Sequence, residues 1–225
     1  MPTGKIKKEK VEIYPETPHL ILCEGMDAYF FLMWFLDFLK KESPIFADFK
    51  VYDFGGISEL KRYLPNIAKT GRFREVVKSI CVVRDAERDA SGAVQSIKNA
   101  LRDSGFAVPD KPYLRQSDSS VSYSSIATGF VLFPKCDDNP QNGTLEDLCL
   151  NILAKEDAVS VLDNAADVLE KYKFRKPHKN RLHTYFSLTD EFVSMKIGEA
   201  ARIGAFSFHG HAIDSLKAFL IKMHG

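Results

Sequence analysis

Three acidic side chains at alternate positions follow an apolar run in the first half of the chain. The run covers residues 80–83 and is followed by Arg84, and the acids are Asp85, Glu87 and Asp89. Their charges repel one another unless a cation lies between them, and clustered carboxylate oxygens suit Mg²⁺, Mn²⁺ or Ca²⁺. The pattern also fits a solvated loop in which the flanking arginines pair with the acids and Asp89 or Ser91 caps the next helix. A metal site and a capped loop are both open interpretations.

A fourth acid, Glu24, follows another apolar run at residues 19–23. Gly25 permits a tight turn and close backbone approach, and Asp27 is the predicted N-cap of a helix. Both apolar runs are typical of strands buried on two faces of a parallel sheet, whose carboxyl edge binds ligands. If the two strands are neighbours, Glu24 and Asp85 meet at that edge and form a divalent-metal site. The alternative for Glu24 is a favourable interaction with the helix dipole.

A third acidic segment consists of Glu146 and Asp147, which follow the predicted N-cap Thr144. Acids in the first turn of a helix stabilise its dipole without any other function. The loop before them leaves a predicted strand at 129–134, so the same sheet edge is also within their reach. Helix stabilisation and a role at the edge both remain open.

A basic stretch near residues 171–181 contains interleaved aromatic residues. Such a pattern fits a surface that faces phosphates, and a solvated link between helices fits it equally well. The basic residues that we assign to nucleic-acid binding are Arg175, Lys176, Lys179 and Arg181.

The elements that would position these residues alternate between strands and helices. The predicted strands are 19–23, 50–54, 79–84 and 129–134. This alternation predicts an α/β fold with a mostly parallel central sheet flanked by helices. We expect residues 1–18 to form a flexible basic arm, 19–155 the α/β core, and 156–225 a helical C-terminal extension packed on the core.

The helix predicted at 27–41 is apolar on nearly every face, so we expect it to be buried between the sheet and other elements. Its aromatic side chains are interpreted as core and not as a platform for base stacking. These residues include Tyr29, Phe30, Phe31, Trp34, Phe35 and Phe38. The apolar part of this segment is too short to span a bilayer.

The composition is that of an ordinary soluble protein, with 225 residues, 45% hydrophobic residues and a net charge of +1. This net charge neither indicates nor excludes a nucleic-acid partner. The four cysteines form no C-x-x-C pair, which favours free thiols in a reducing cytosol over a zinc site. The lysine-rich first residues are not followed by the apolar segment of a signal peptide, so we predict a cytoplasmic protein without a membrane partner.

The two strand-and-acid motifs together resemble the Toprim domain of topoisomerases, bacterial primases and OLD-family nucleases. The first is the strand that ends in Glu24 and Gly25, with Asp27 behind it, and the second is Asp85-Ala86-Glu87 with Asp89. In Toprim domains the first-strand glutamate and the acids of a D-x-D-type motif bind magnesium. The resemblance therefore implies a Toprim-like Rossmannoid core and a magnesium (or manganese) site. Its ligands would be Glu24, Asp85, Glu87 and Asp89.

Later segments extend this resemblance. Glu146 and Asp147 look like the element with which OLD-type Toprim domains hold a second metal, and Lys179 matches a lysine near the scissile phosphate. Residues 177–184 and 197–201 are similar to a Toprim-related family of small stand-alone proteins of uncharacterised function. Neither an OLD-type ATPase domain nor a topoisomerase tyrosine domain is predicted in these 225 residues.

The leading functional expectation is a metal-dependent nucleic-acid phosphodiesterase with Glu24, Asp85 and Lys179 as catalytic residues. The substrate is DNA or RNA, which the sequence does not distinguish. The alternative is a non-catalytic Toprim-like interaction module in a defence or repair complex, and both a protein partner and a homo-oligomer are compatible with the sequence. A small-molecule phosphatase is disfavoured because the loop after Asp85 lacks the hydroxyl residue that such enzymes require.

Overall fold

Four parallel strands in the order β2-β1-β3-β4 form the central sheet of the described part of the chain. The structure is a computed structural model that describes residues 15–153, 162–163, 169 and 177–225. The strands are β1 (His19–Cys23), β2 (Phe49–Asp53), β3 (Ser79–Asp85) and β4 (Ala127–Phe133). The predicted strands are confirmed, with boundaries that differ by at most two residues.

Helices cover both faces of the sheet, which confirms the predicted α/β class and gives a Rossmann-like arrangement. On one face lie α1 (Met26–Glu42), α5 (Leu145–Leu153), α6 (Pro177–Ser187), α7 (Ile197–Arg202) and α8 (His211–His224), and on the other lie α2 (Ile57–Ala68), α3 (Phe73–Val76) and α4 (Ala90–Asp103). A 3₁₀ helix at Pro44–Asp48 precedes β2. None of the described helices is long and apolar enough to cross a membrane.

Alternate residues of β1 point to two separate cores, which is why residues 20–23 are all apolar. Ile21 and Cys23 pack with α1, α5 and the C-terminal helices, whereas Leu20 and Leu22 pack with α2 and α4. All four side chains are fully buried. The strand therefore shows the continuous hydrophobicity of a central parallel strand and not the alternation of a half-exposed one.

The strand order reverses at β1, which makes the carboxyl ends of β1 and β3 a topological switch point. The chain passes from β1 outward to β2, and then returns to place β3 on the other side of β1. The helices that follow β1 and β3 consequently lie on opposite faces of the sheet. Crevices at such switch points are the usual ligand sites of open α/β sheets.

Helix α1 corrects two expectations. The helix begins at Met26, and its N-cap is Gly25 with φ 89°, a left-handed conformation that glycine adopts readily. Asp27 therefore lies in the first turn and is not the N-cap. Phe31 and Phe35 are core residues as predicted, with no exposed surface, but Phe30 is 39% exposed. The aromatic set thus belongs only in part to the core.

Candidate functional site

Asp85 ends β3 and joins it to the start of α5. The Oδ1 atom of Asp85 accepts a hydrogen bond of 2.9 Å from the backbone N–H of Leu145. Glu24 follows the neighbouring strand β1, and its backbone N–H donates to the carbonyl oxygen of Val83 at 3.1 Å. The structure thus brings Glu24, Asp85 and the first turn of α5 to one edge of the sheet, as the sequence predicted.

The carboxyl group of Asp85 is held in an environment that disfavours its charge. Burial raises its pKa, and the charge of Glu146 raises it further, to about 7. Glu87 and Glu24 act in the same direction, whereas the hydrogen bond from Leu145 opposes the shift. A cation among these carboxylates would reverse the effect, since it would favour the ionised form of Asp85.

Glu146 is paired with Lys179 across α5 and α6. Glu146 is only 3% exposed, and its Oε1 atom lies 2.5 Å from the Nζ atom of Lys179. Burial alone would raise the pKa of Glu146, but hydrogen bonds from Lys179 and Thr144 outweigh it, and the pKa is lowered. Burial also opposes the charge of Lys179, yet Glu146, Asp27 and Asp85 together raise its pKa. Lys179 therefore remains a cation among acids.

Arg84 lies beside Glu24 and is nearly buried, with 8% of its surface exposed. Its Nε atom is 3.1 Å from the Oε2 atom of Glu24 and also donates to the carbonyl oxygen of Asp85 at 3.1 Å. Arg84 thus offsets the charge of an acid from another strand. It is not simply a counterion for the loop acids that follow it in sequence.

Glu87 and Asp89 are exposed at the rim of this edge. The backbone of Glu87 has φ 55° and exchanges two hydrogen bonds of 2.8 Å with Gly143. Asp89 caps α4, because its Oδ1 atom accepts from the N–H of Gly92 at 2.9 Å. The capping interpretation of Asp89 is therefore confirmed. Both acids line a shallow cleft of about 390 Å³ that also contains Arg88.

Asp147 stabilises the start of α5. Its Oδ2 atom accepts hydrogen bonds from the N–H of Thr144 at 2.8 Å and from the Thr144 hydroxyl at 3.3 Å. This arrangement resembles half of a capping box. Of the two acids at this helix start, Asp147 is engaged in capping, whereas Glu146 faces Lys179.

Sequence reasoning missed Asp53, which holds the turn that carries Glu24. Asp53 ends β2 opposite Cys23, and its Oδ1 atom accepts from the N–H groups of Gly25 at 2.8 Å and Gly55 at 2.7 Å. The available signal was an acid at a third strand end, followed by two glycines. Only the pairing of β1 with β2 reveals that this acid serves the turn after β1.

The basic residues assigned to nucleic acid have different outcomes. Lys179 lies at the candidate site, and the Nη2 atom of Arg181 is 3.9 Å from the Oδ1 atom of Asp163. Arg175 and Lys176 lie outside the described residues. A continuous basic surface therefore stays a prediction.

The oxygen donors at this edge fit a hard divalent cation in type, and the raised pKa of Asp85 indicates excess negative charge. Within residues 15–153, 162–163, 169 and 177–225, however, no group of three or more His, Cys, Asp or Glu side chains is arranged to hold a metal ion. Arg84 and Lys179 already contact Glu24 and Glu146. Cation binding would therefore require these carboxylates to turn away from their present partners.

Comparison with known proteins places the chain in a family without assigning it an activity. No curated protein and no solved structure matches it. A family model described as "Protein of unknown function (DUF3226)" matches residues 18–224, which include every strand and all described helices. The chain therefore belongs to the DUF3226 family of proteins of unknown function.

Proposed function

We propose that this protein is a metal-dependent phosphodiesterase that cleaves nucleic acid and uses magnesium or manganese. The observation that carries the proposal is Asp85, a partly buried acid at the sheet's switch point with a pKa raised to about 7. Strongly perturbed acids in such a crevice favour a functional site over a purely structural one. The phosphodiester substrate is supported by the resemblance of the Glu24 and Asp85 motifs to Toprim domains.

Glu24, Asp85 and Glu146 would hold the cation, with Glu87 in reach at the rim. Asp89 and Asp147 are helix caps, and we assign them structural roles. When bound, a divalent cation polarises a phosphoryl oxygen and lowers the pKa of a bound water.

Residues of the chain would supply the remaining functions. Because the pKa of Asp85 is raised to about 7, its protonated and ionised forms are both populated near neutral pH when no cation is present, and cation binding would shift it to the ionised form. Lys179 would turn from Glu146 to the phosphate and offset the negative charge that develops there. Asp53 and Arg84 are positioning residues, because they hold the turn and the side chain of Glu24.

The test is cleavage of labelled single- and double-stranded DNA and RNA in magnesium, manganese or EDTA. We expect metal-dependent cleavage that falls by at least about 100-fold in Asp85→Asn, because the variant loses a central carboxylate. The matched control is Asp103→Asn, whose exposed carboxylate pairs with Lys61 at 3.6 Å on the surface. Metal-dependent cleavage that survives in Asp85→Asn would contradict the proposal.

A second candidate is a non-catalytic interaction module of a defence or repair complex. It is favoured by the ion pairs of Glu24 with Arg84 and of Glu146 with Lys179, which offset much of the negative charge without a metal. Calorimetric titration with magnesium separates the two. Binding that Asp85→Asn abolishes supports the enzyme, whereas absence of both binding and cleavage in the folded protein supports the module.

A further inference from the structure

A cleft of about 840 Å³ opens between α1, α6 and α7. Its lining combines apolar, aromatic and charged side chains, and none of them belongs to the proposed metal-binding set. The side chains that line it include Met26, Phe30, Trp34, His183, Lys196 and Arg202.

The cleft lies near the carboxylate edge. Asp27 lines it, and the charge of Asp27 also acts on Lys179, the partner of Glu146. His183 lines the cleft from α6, one helical turn beyond Lys179 and on the same side of that helix. The cleft therefore lies next to the candidate active site, and a ligand that extends beyond the cleft on this side would approach that site.

One wall of the cleft is an apolar stripe of α1. Met26, Phe30 and Trp34 recur every fourth residue and so share a face of the helix. Met26 is 53% exposed and Phe30 is 39% exposed, in contrast to the fully buried aromatic residues on the sheet side of α1. Gly198 allows α7 to approach, because a Cβ atom there would lie 2.3 Å from the Cβ atom of Phe30.

The other charged groups of the cleft are available for a ligand. Lys196, Arg202 and His183 are all exposed, and among the described residues neither Lys196 nor Arg202 forms an ion pair through its side chain. Glu199 also lines the cleft, but its carboxylate accepts a hydrogen bond of 2.9 Å from the backbone N–H of Lys196. The cleft thus combines the side chains of Lys196 and Arg202 with the exposed ring of Phe30 and the partly buried ring of Trp34.

We propose that this cleft binds an unpaired nucleobase and its adjoining phosphate, beside the phosphodiester that is cleaved. The inference rests on the proposed function and names its substrate class as single-stranded nucleic acid. Aromatic side chains stack on any base, and Lys or Arg neutralises phosphates. A duplex already stacks its bases on one another, so it offers no free base face to Phe30 or Trp34.

Trp34 gives a direct measurement, because it is the single tryptophan of the chain. We would titrate the protein in EDTA with oligothymidylate and with a duplex of equal length, and follow tryptophan fluorescence. We expect saturable quenching by the single strand and at least about tenfold weaker binding of the duplex. Because EDTA prevents metal-dependent cleavage, this result is independent of the cleavage assay.

Two variants test the two walls of the cleft. Phe30→Leu keeps an apolar contact with Gly198 but removes the aromatic face, and we expect about 5- to 100-fold weaker binding of the single strand. Arg202→Ala should reduce the slope of log affinity against log salt by about one. Arg72→Ala is the matched control, since Arg72 is an exposed arginine beside α3 on the other face of the sheet.

Three results would overturn the inference. These are no quenching by the single strand, equal affinity for the duplex, and wild-type binding by both cleft variants. Concentration-dependent dimerisation that Phe30→Leu abolishes, without any nucleic-acid binding, would instead identify a second copy of the chain as the occupant. Loss of cleavage in Asp85→Asn together with wild-type binding in both cleft variants would reject the cleft and retain the nuclease.

Discussion

The two edges of the central sheet both bury ionisable groups, but the charges are arranged differently. At the amino edge, the Nδ1 atom of His19 lies 2.8 Å from the Oγ atom of Ser79, and its ring stacks on Phe49 at 4.9 Å. Burial, followed by the nearby His224, lowers the pKa of His19 to about 4, so this histidine is neutral at physiological pH. The buried histidine at the amino edge therefore has a hydrogen-bond partner and a packing partner, which is typical of a structural role.

At the carboxyl edge, by contrast, like charges converge. Asp85 has three neighbouring carboxylates that raise its pKa, and two cations only partly offset them. Burial acts at both edges, so burial alone does not distinguish a functional site from a structural one. What distinguishes the carboxyl edge is repulsion between acids that the ends of β1 and β3 and the start of α5 bring together.

The largest expected effect concerns the ion pair that holds Glu24. Arg84→Met removes a nearly buried guanidinium beside this acid, and we expect a loss of about 3 kcal/mol in the free energy of unfolding. Urea denaturation measures the loss. The matched control is Arg62→Met, whose exposed pair with Glu59 should contribute less than about 1 kcal/mol. Equal losses of unfolding free energy in the two variants would show that the pair of Arg84 with Glu24 stabilises the protein no more than an exposed ion pair does.

The second prediction uses pH to separate the two edges. The pKa of Asp85 is raised from 3.8 to about 7, so the folded state binds more protons than the unfolded state, and stability falls as pH rises through this window. The pKa of His19 is lowered from 6.5 to about 4, so stability rises with pH between these values. The two effects oppose each other in the wild-type protein.

A variant at either edge should remove one of the two pH dependences of stability and leave the other visible. Asp85→Asn is expected to raise stability at pH 8 by about 2 kcal/mol and to leave the rising contribution of His19. His19→Gln should leave the falling contribution of Asp85. Denaturant unfolding from pH 4 to pH 8 measures both slopes. Unchanged pH profiles in the two variants would contradict the assigned pKa shifts.

The third prediction concerns magnesium. If the carboxyl edge binds a cation, magnesium at ten times its dissociation constant should stabilise the protein by about 1.4 kcal/mol. Thermal unfolding in magnesium and in EDTA measures the shift. Asp85→Asn should lose the shift, and His19→Gln should retain it. A shift of equal size in both variants would place the ion elsewhere.

The smallest expected effect separates the rim from the inner acids. Asp89→Ala removes the N-cap of α4 and should cost about 1 kcal/mol in stability. We expect the stabilisation by magnesium to remain, because Asp89 is engaged with Gly92. If Asp89→Ala loses magnesium binding while circular dichroism shows an intact fold, Asp89 is a metal ligand as the sequence suggested.

Much of the fold was predictable from local patterns. The runs at residues 20–23 and 80–83 are continuously apolar because both faces of a central parallel strand are buried. The acids that follow them were therefore correctly expected at one edge. Local patterns were less reliable at helix starts, where the positive φ of Gly25 begins α1 one residue before Asp27.

The partners of these acids were not predictable, because they come from distant parts of the chain. Lys179 contacts Glu146, and Asp53 holds the turn at Gly25, so each contact depends on the packing of separate elements. Phe30 is likewise apolar and was expected in the core. Only the tertiary structure shows that it contacts α7 at Gly198 and stays 39% exposed.

The sequence by itself determined which side chains stand at strand ends, because strand period and burial act over a few residues. Tertiary structure alone decided which acids are neutralised and which repel. Coulomb energy and desolvation depend on distance in space and on burial, and neither follows from spacing along the chain. Glu146 and Asp147 are adjacent acids of one helix turn, but they lie in different surroundings. Glu146 pairs with Lys179, whereas Asp147 accepts a hydrogen bond from Thr144.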